Sequence, residues 1–91
     1  MSFDIYYHEL VHKEDIPRLS LEWREKIKHA IENRLAARPE IYGKPLRQSL
    51  KGYRKLRVGN YRVVFRIKER TIKILIIQHR SVVYKMIQKR I

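Results

Sequence analysis

Lys55, Arg57, Arg62, His79, Arg80 and Tyr84 are the groups that phosphodiester chemistry uses. A guanidinium grips phosphate oxygens through paired N–H donors, and a lysine acts on them as a point charge. An imidazole carries protons near neutral pH. A phenol stacks on a base or relays a proton. Cutting RNA without a metal asks for little more. A base takes the proton of a 2′-hydroxyl, cations hold the charge of the crowded phosphorane, and an acid protonates the leaving 5′-oxygen. Whether these side chains meet is a question of strand parity.

The parity is set by Tyr53-Arg54-Lys55-Leu56-Arg57-Val58-Gly59-Asn60-Tyr61-Arg62-Val63-Val64-Phe65-Arg66, which reads as two strands joined by a two-residue Gly59-Asn60 turn. In that hairpin Val58 faces Tyr61, Arg57 faces Arg62, Leu56 faces Val63, Lys55 faces Val64, Arg54 faces Phe65 and Tyr53 faces Arg66. Alternation puts Val58, Tyr61, Leu56, Val63 and Phe65 on one face. Arg57, Arg62, Lys55, Arg66, Tyr53 and Val64 fall on the other. Like charges directly opposite one another destabilise a sheet. Arg57 beside Arg62 therefore marks a face offered to something anionic.

A third strand follows over residues 71–79 after a Glu69-Arg70 turn that pairs Lys68 with Thr71 and Ile67 with Ile72. Carried through without interruption, this register sends Ile72, Ile74 and Ile76 to the apolar face. It sends Lys73, Leu75, Ile77 and His79 to the basic face, with Arg80 at the strand end and Tyr84 beyond it. Phe3-Asp4-Ile5-Tyr6-Tyr7 alternates as a strand does. Residues 12–19 form a short helix interrupted by Pro17. Ser20 caps a longer helix whose apolar stripe is Trp23, Ile27, Ala30, Ile31, Arg34 and Leu35, with Arg24, Lys28 and Glu32 solvated. Pro39 ends that helix near Ala37, residues 40–51 read as a loop, and Ser81 caps a short final segment over residues 82–90. Helices segregated to one side of such a sheet make an α+β fold. The expectation is a mainly antiparallel four-stranded sheet with two N-terminal helices packed on one face. The order is β-α-α-β-β-β with a short C-terminal helix, in a single domain over residues 1–91.

The chain has 91 residues, and its 22 Lys and Arg against 9 Asp and Glu give a formal charge of +13. That balance calls for an anionic partner, nucleic acid first. With no cysteine, disulfides and thiolate metal sites are excluded. His8, His12 and His29 are scattered without metal-ligand spacing, so no cofactor and no metal are expected. No apolar run approaches the ~18 residues that span a bilayer. The start, Met1-Ser2-Phe3-Asp4, lacks a basic stretch followed by an apolar one. The expected location is the cytoplasm, with no membrane partner.

Leu50-Lys51-Gly52, then Lys55-Leu56-Arg57-Val58-Gly59-Asn60-Tyr61-Arg62-Val63-Val64-Phe65, then His79-Arg80-Ser81-Val82-Val83-Tyr84 resembles the RelE/ParE toxin superfamily. The resemblance implies a toxin of a type II toxin–antitoxin system, neutralised by a cognate antitoxin. RelE-like members cut mRNA in the ribosomal A site, and ParE-like members poison DNA gyrase. Carried over by the RelE-like motif, the catalytic residues are Lys55, Arg62, Arg80 and Tyr84. Two positions depart from that pattern: Tyr53 stands where a second lysine is usual, and Gln78 where an arginine aligns. His79 is added to the catalytic set as a source of proton transfer. Tyr53, Arg54, Arg57, Arg66 and Lys73 are expected to bind RNA.

The leading expectation is thus a ribosome-dependent, metal-free endoribonuclease working by 2′-hydroxyl attack. His79 or Lys55 is its base, Tyr84 assists, and Arg62 and Arg80 hold the phosphate charge. The alternatives are a ParE-like gyrase inhibitor without nuclease activity, and a plain nucleic-acid-binding domain.

Overall fold

The computed structural model describes residues 3–46 and 52–91, so Leu50 and Lys51 of the Leu-Lys-Gly motif lie outside the described residues. One mixed sheet of five strands runs in the order β1-β5-β4-β3-β2, with β1 Asp4–Tyr7, β2 Lys44–Pro45, β3 Tyr53–Val58, β4 Tyr61–Lys68 and β5 Thr71–His79. β1 lies parallel to β5, and the other pairings are antiparallel. The α+β class and the segregated helices are as expected. The strand count is corrected from four to five, because Lys44 and Pro45 pair with Lys55 and Arg54 inside the segment read as a loop. The same segment holds a one-turn helix, α2, Pro39–Tyr42.

The hairpin register is the expected one at every pair from Val58–Tyr61 to Tyr53–Arg66. The turn after β4 also holds, with Lys68 opposite Thr71 and Glu69 taking a left-handed φ of 56°. In β5 the expected parity fails. Val64 pairs with Ile76 but Phe65 pairs with Ile74, so Leu75 is an extra residue bulged out of the ladder. One inserted residue sends every later side chain to the opposite face. Ile77, expected on the basic side, packs in the helix-side core with Phe65, Ile72 and Ile74. Ile76, expected there, packs on the other side with Leu75 and Val64.

The helix-side core is closed by a wide helical turn at Val11–Asp15, a tighter one at Ile16–Arg18, and α1, Leu21–Ala30, which continues in wider turns through Ile31–Leu35. Ser20 caps α1 as expected, accepting the Trp23 N–H at 3.3 Å. Ile27, Ala30, Ile31 and Leu35 are the buried stripe, and Trp23 is half-buried. Arg34 is exposed rather than part of the stripe. Arg24 is not simply solvated: its guanidinium donates to the carbonyls of Ile16, Pro17 and Leu19, closing the turn before α1.

On the opposite face the C-terminal helix α3, Val83–Ile87, seats Val83 and Ile87 on Val64, Leu75 and Ile76. Val82, not Ser81, stands at its N-cap. Arg90, beyond α3, reaches the buried Asp15, which is 1% exposed. Asp15 Oδ2 accepts the Ile77 N–H at 2.9 Å and Arg90 Nη1 at 2.5 Å, and Oδ1 accepts Gln78 Nε2 at 2.8 Å and Arg90 Nη2 at 3.1 Å. Arg90 Nη1 also donates to the Leu75 carbonyl at 3.2 Å. β1 ends opposite Ile74, so these two side chains satisfy the backbone of β5 along the edge that β1 leaves open.

Candidate nucleic-acid interface

The Gly59-Asn60 turn sets the geometry. Gly59 has φ 59°, and a Cβ there would stand 2.4 Å from a Trp23 ring carbon, so only glycine fits both the turn and the helix beneath it. With the turn so fixed, Arg57 lies directly opposite Arg62. One strand further out Lys44 lies opposite Lys55. Arg62 Nη1 folds back onto the Gly59 and Tyr61 carbonyls at 3.1 and 2.9 Å, which fixes the guanidinium while occupying one of its three nitrogens. Lys55, Arg57 and Arg62 line one hollow of about 180 Å³ together with Tyr42 and Lys44.

Tyr84 reaches the same cluster from α3. Lys55 Nζ lies 3.1 Å from the Tyr84 hydroxyl and 5.7 Å from the centre of its ring. Among the described residues the ion pairs join Lys13 to Glu9, Lys26 to Glu22, and Arg90 to Glu14 and Asp15. None neutralises a cation of the hollow. Two like-charged cross-strand pairs without a carboxylate make a site with affinity for an anion.

His79 is not part of this face, which corrects the expectation. Beyond the Leu75 bulge it stands opposite Tyr61, with the ring centres 5.6 Å apart edge to face, and Tyr61 in turn packs 5.1 Å from Trp23. His79 Nδ1 is occupied by the Ser81 N–H at 3.1 Å and the Ser81 hydroxyl at 2.8 Å. The neutral ring therefore carries its proton on Nε2. Arg54, also expected to bind RNA, keeps its expected pairing with Phe65, shares parity with Leu56, and donates from Nη1 to the Gly43 carbonyl at 3.1 Å. Arg80 is exposed, and its N–H is tied to the Asn60 carbonyl at 2.8 Å, at the hairpin tip.

Tyr53, Arg66 and Lys73 keep the expected face but form a second group. Arg66 pairs with both Tyr53 and Lys73, its guanidinium 5.7 Å from the Tyr53 ring centre. They line a separate hollow of about 170 Å³ with Tyr6 and His8. Val64, Leu75 and Ile76 lie between the two groups under α3. Tyr42 and Lys44 were not anticipated, because a two-residue strand has no periodicity to read. Gln78 is opposite Arg62, but its amide is drawn to Asp15.

A family model described as ParE toxin of type II toxin–antitoxin system, parDE, matches residues 6–84. Among solved structures, the toxin–antitoxin complex RelBE2 from Mycobacterium tuberculosis is similar at 26% identity and TM-score 0.81, over 87% of this chain and 99% of that one. A free mutant of toxin RelE from E. coli is similar in fold at 23% identity and TM-score 0.74, over 100% and 99% of the two chains. The RelB–RelE antitoxin–toxin complex of Methanococcus jannaschii has the same fold at 22% identity and TM-score 0.69, over 88% and 95%. Comparison with curated proteins gives no match.

Proposed function

The chain belongs to the family of ParE toxins of type II toxin–antitoxin systems, and we propose that its toxicity is that of a ribosome-dependent endoribonuclease acting on mRNA in the A site. One observation carries this reading: the Lys55 ammonium bonds the Tyr84 hydroxyl at 3.1 Å beside the hollow that Arg57 and Arg62 also line. Cations alone make a binding surface. A lysine–phenol pair next to them adds the means to move a proton.

In the proposed reaction the scissile phosphate rests against Arg57 and Arg62. The form of the Lys55–Tyr84 pair that reacts is the one that has first given up a proton to solvent; it takes the proton of the 2′-hydroxyl, whose oxygen attacks phosphorus. The bond from phosphorus to the 5′-oxygen breaks, and the leaving oxygen takes that proton from the recharged pair. The products are a 2′,3′-cyclic phosphate and a 5′-hydroxyl. Preorganised donors aimed at the developing charge are the largest contributors to such a step. Arg80, at the hairpin tip, extends the contact to neighbouring phosphates. His79 has no direct part, since its ring lies on the Tyr61 side of the sheet. A cognate antitoxin is the protein partner, the ribosome presents the substrate, and the cytoplasm is the place of action. No membrane-spanning segment enters this reading: among the described residues no helix is long and apolar enough to cross a bilayer.

A second reading has its own support in the description of the matched family model, which names the ParE toxin. In that reading the chain inhibits DNA gyrase and the hollow serves affinity alone.

Adding the protein to a purified translation system and mapping mRNA ends, with a gyrase supercoiling assay alongside, separates the two. The expected result is A-site cleavage with cyclic phosphate ends, reduced about 100- to 1,000-fold by Arg62→Ala at unchanged melting temperature. A folded Arg62→Ala protein that cleaves at the original rate refutes the site. Intact mRNA with stalled gyrase replaces the first reading with the second.

A further inference from the structure

We propose that Tyr42 is a base-stacking residue, so that the cationic hollow takes a single-stranded RNA with one unpaired base laid against the Tyr42 ring. The inference rests on reading the hollow as an RNA site, and goes beyond it in assigning where a base, rather than a phosphate, is held.

Tyr42 is 46% exposed, yet the backbone before it is held in a helical turn opened by a buried proline and the backbone after it is pinned to the sheet. Pro39 is buried and opens the one-turn helix at whose end Tyr42 stands. Gly43 follows, and a Cβ there would lie 2.2 Å from the Phe65 ring, so this glycine lets the chain touch the core. The Gly43 N–H donates to the Pro39 carbonyl at 2.9 Å, and the Gly43 carbonyl accepts Arg54 Nη1 at 3.1 Å. Lys44 then enters β2 opposite Lys55. A surface aromatic with no core to fill is thus held in a fixed place.

That place is beside the cations. Three tyrosines are exposed, Tyr6, Tyr42 and Tyr84. Tyr42 lines the hollow with Lys44, Lys55, Arg57 and Arg62, and Tyr84 is bonded to Lys55. The two rings have different tasks. The Tyr84 hydroxyl is engaged by the Lys55 ammonium and belongs to proton transfer. Tyr42 supplies a ring face. Aromatic rings set among cations are the arrangement by which proteins hold single strands: charges track the backbone while bases stack. An acidic peptide would use the same cations and gain nothing particular from the ring. Duplex RNA would keep its bases stacked on one another and out of reach.

The test uses the full chain and a short single-stranded RNA containing one 2-aminopurine, whose fluorescence is quenched on stacking, with a matching RNA abasic at that position. Wild type and Tyr42→Phe should quench the probe. Tyr42→Ala should abolish the quench and weaken binding roughly 5- to 150-fold, the range of stacking losses on alanine substitution. It should leave the salt dependence unchanged, since no charge is removed. Wild type should bind the abasic RNA as weakly as Tyr42→Ala binds the intact one. Tyr42→Ala with wild-type quench and affinity overturns the proposal, as does a wild type that binds no RNA or binds both probes equally. If mRNA is never cut but the quench still requires Tyr42, the nuclease reading fails and the stacking role stands. If mRNA is cut and Tyr42→Ala changes neither quench nor affinity, the stacking role fails alone.

Discussion

Arg90→Met should be among the most damaging single changes in this protein, although Arg90 is next to last in the sequence. Its side chain is 3% exposed, and the Asp15 side chain it meets is fully buried. Asp15 accepts hydrogen bonds from the Ile77 N–H, the Gln78 amide and both terminal nitrogens of Arg90. Methionine leaves the carboxylate buried with its neutral donors and no countercharge. Breaking a buried pair in this way costs about 3–5 kcal/mol. Against a total stability of roughly 5–15 kcal/mol that is a large share. In a chain of this size it lowers the melting temperature by about 12–40 °C. Thermal and urea unfolding measure the loss, and a second variant identifies its source. Asp15→Asn in the Arg90→Met background keeps an oxygen for the Ile77 N–H but removes the stranded charge, and should recover at least half of the loss. A loss for Arg90→Met under about 1 kcal/mol, the range of exposed ion pairs, would refute the reasoning. So would a double variant no more stable than Arg90→Met alone, because the loss would then come from packing and not from a stranded carboxylate.

Gly59→Ala should lose about 2–4 kcal/mol, from left-handed backbone and from a Cβ driven against Trp23, read as a lower urea midpoint at unchanged slope. A change under about 1 kcal/mol would mean that the turn relaxes. Tyr7 gives a pH dependence. Burial first, and then the negative charge of Glu32, raise its pKa above the ordinary 10.0. The folded state thus holds the phenol proton more tightly than the unfolded chain does. This contribution to stability is complete below pH 10.0 and is lost as pH rises through the raised value. Wild type should therefore lose stability more steeply than Tyr7→Phe above that pH, and parallel pH profiles of unfolding would contradict the assignment.

Much of this was legible in the sequence because it is local. A two-residue Gly-Asn turn fixes a hairpin register, and the register fixes which cations share a face; Lys55, Arg57 and Arg62 meet as alternation requires. Ser20 before an amphipathic stretch is an equally local signal, and it caps α1. What was not legible has no local signature. Counting parity along β5 assumes an unbroken ladder, and nothing in Ile74-Leu75-Ile76-Ile77 marks which isoleucine follows the bulge, since all of them are apolar. The placement of His79 failed for that reason alone. Asp15 and Arg90 are 75 positions apart, and only the assembled fold shows that both face the edge of β5 that β1 leaves open. Tyr42 sits where one turn of helix meets two residues of strand, too short for either period to appear.

The bulge that removes His79 from the basic face also supplies the group that takes its place there. In an unbroken strand Leu75 and Ile76 would point to opposite sides. With Leu75 inserted both point to the same side, and with Val64 they form the apolar seat on which Val83 and Ile87 rest. α3 can therefore lie across the middle of an otherwise basic sheet face, with Tyr84 on its outer side meeting Lys55. Arg90 fastens the far end of the same segment to Asp15 and, through the Leu75 carbonyl, to the bulged residue itself. One extra residue in β5 thus exchanges an imidazole for a phenol at the cationic hollow, and the buried ion pair holds that exchange in place. Tyr84 lies in α3 and Arg90 three residues beyond its end, so the Asp15–Arg90 contact anchors the segment that carries the Tyr84 hydroxyl. Loosening that contact should disturb the Lys55–Tyr84 bond before it disturbs the Arg57–Arg62 pair, which the Gly59-Asn60 turn holds independently.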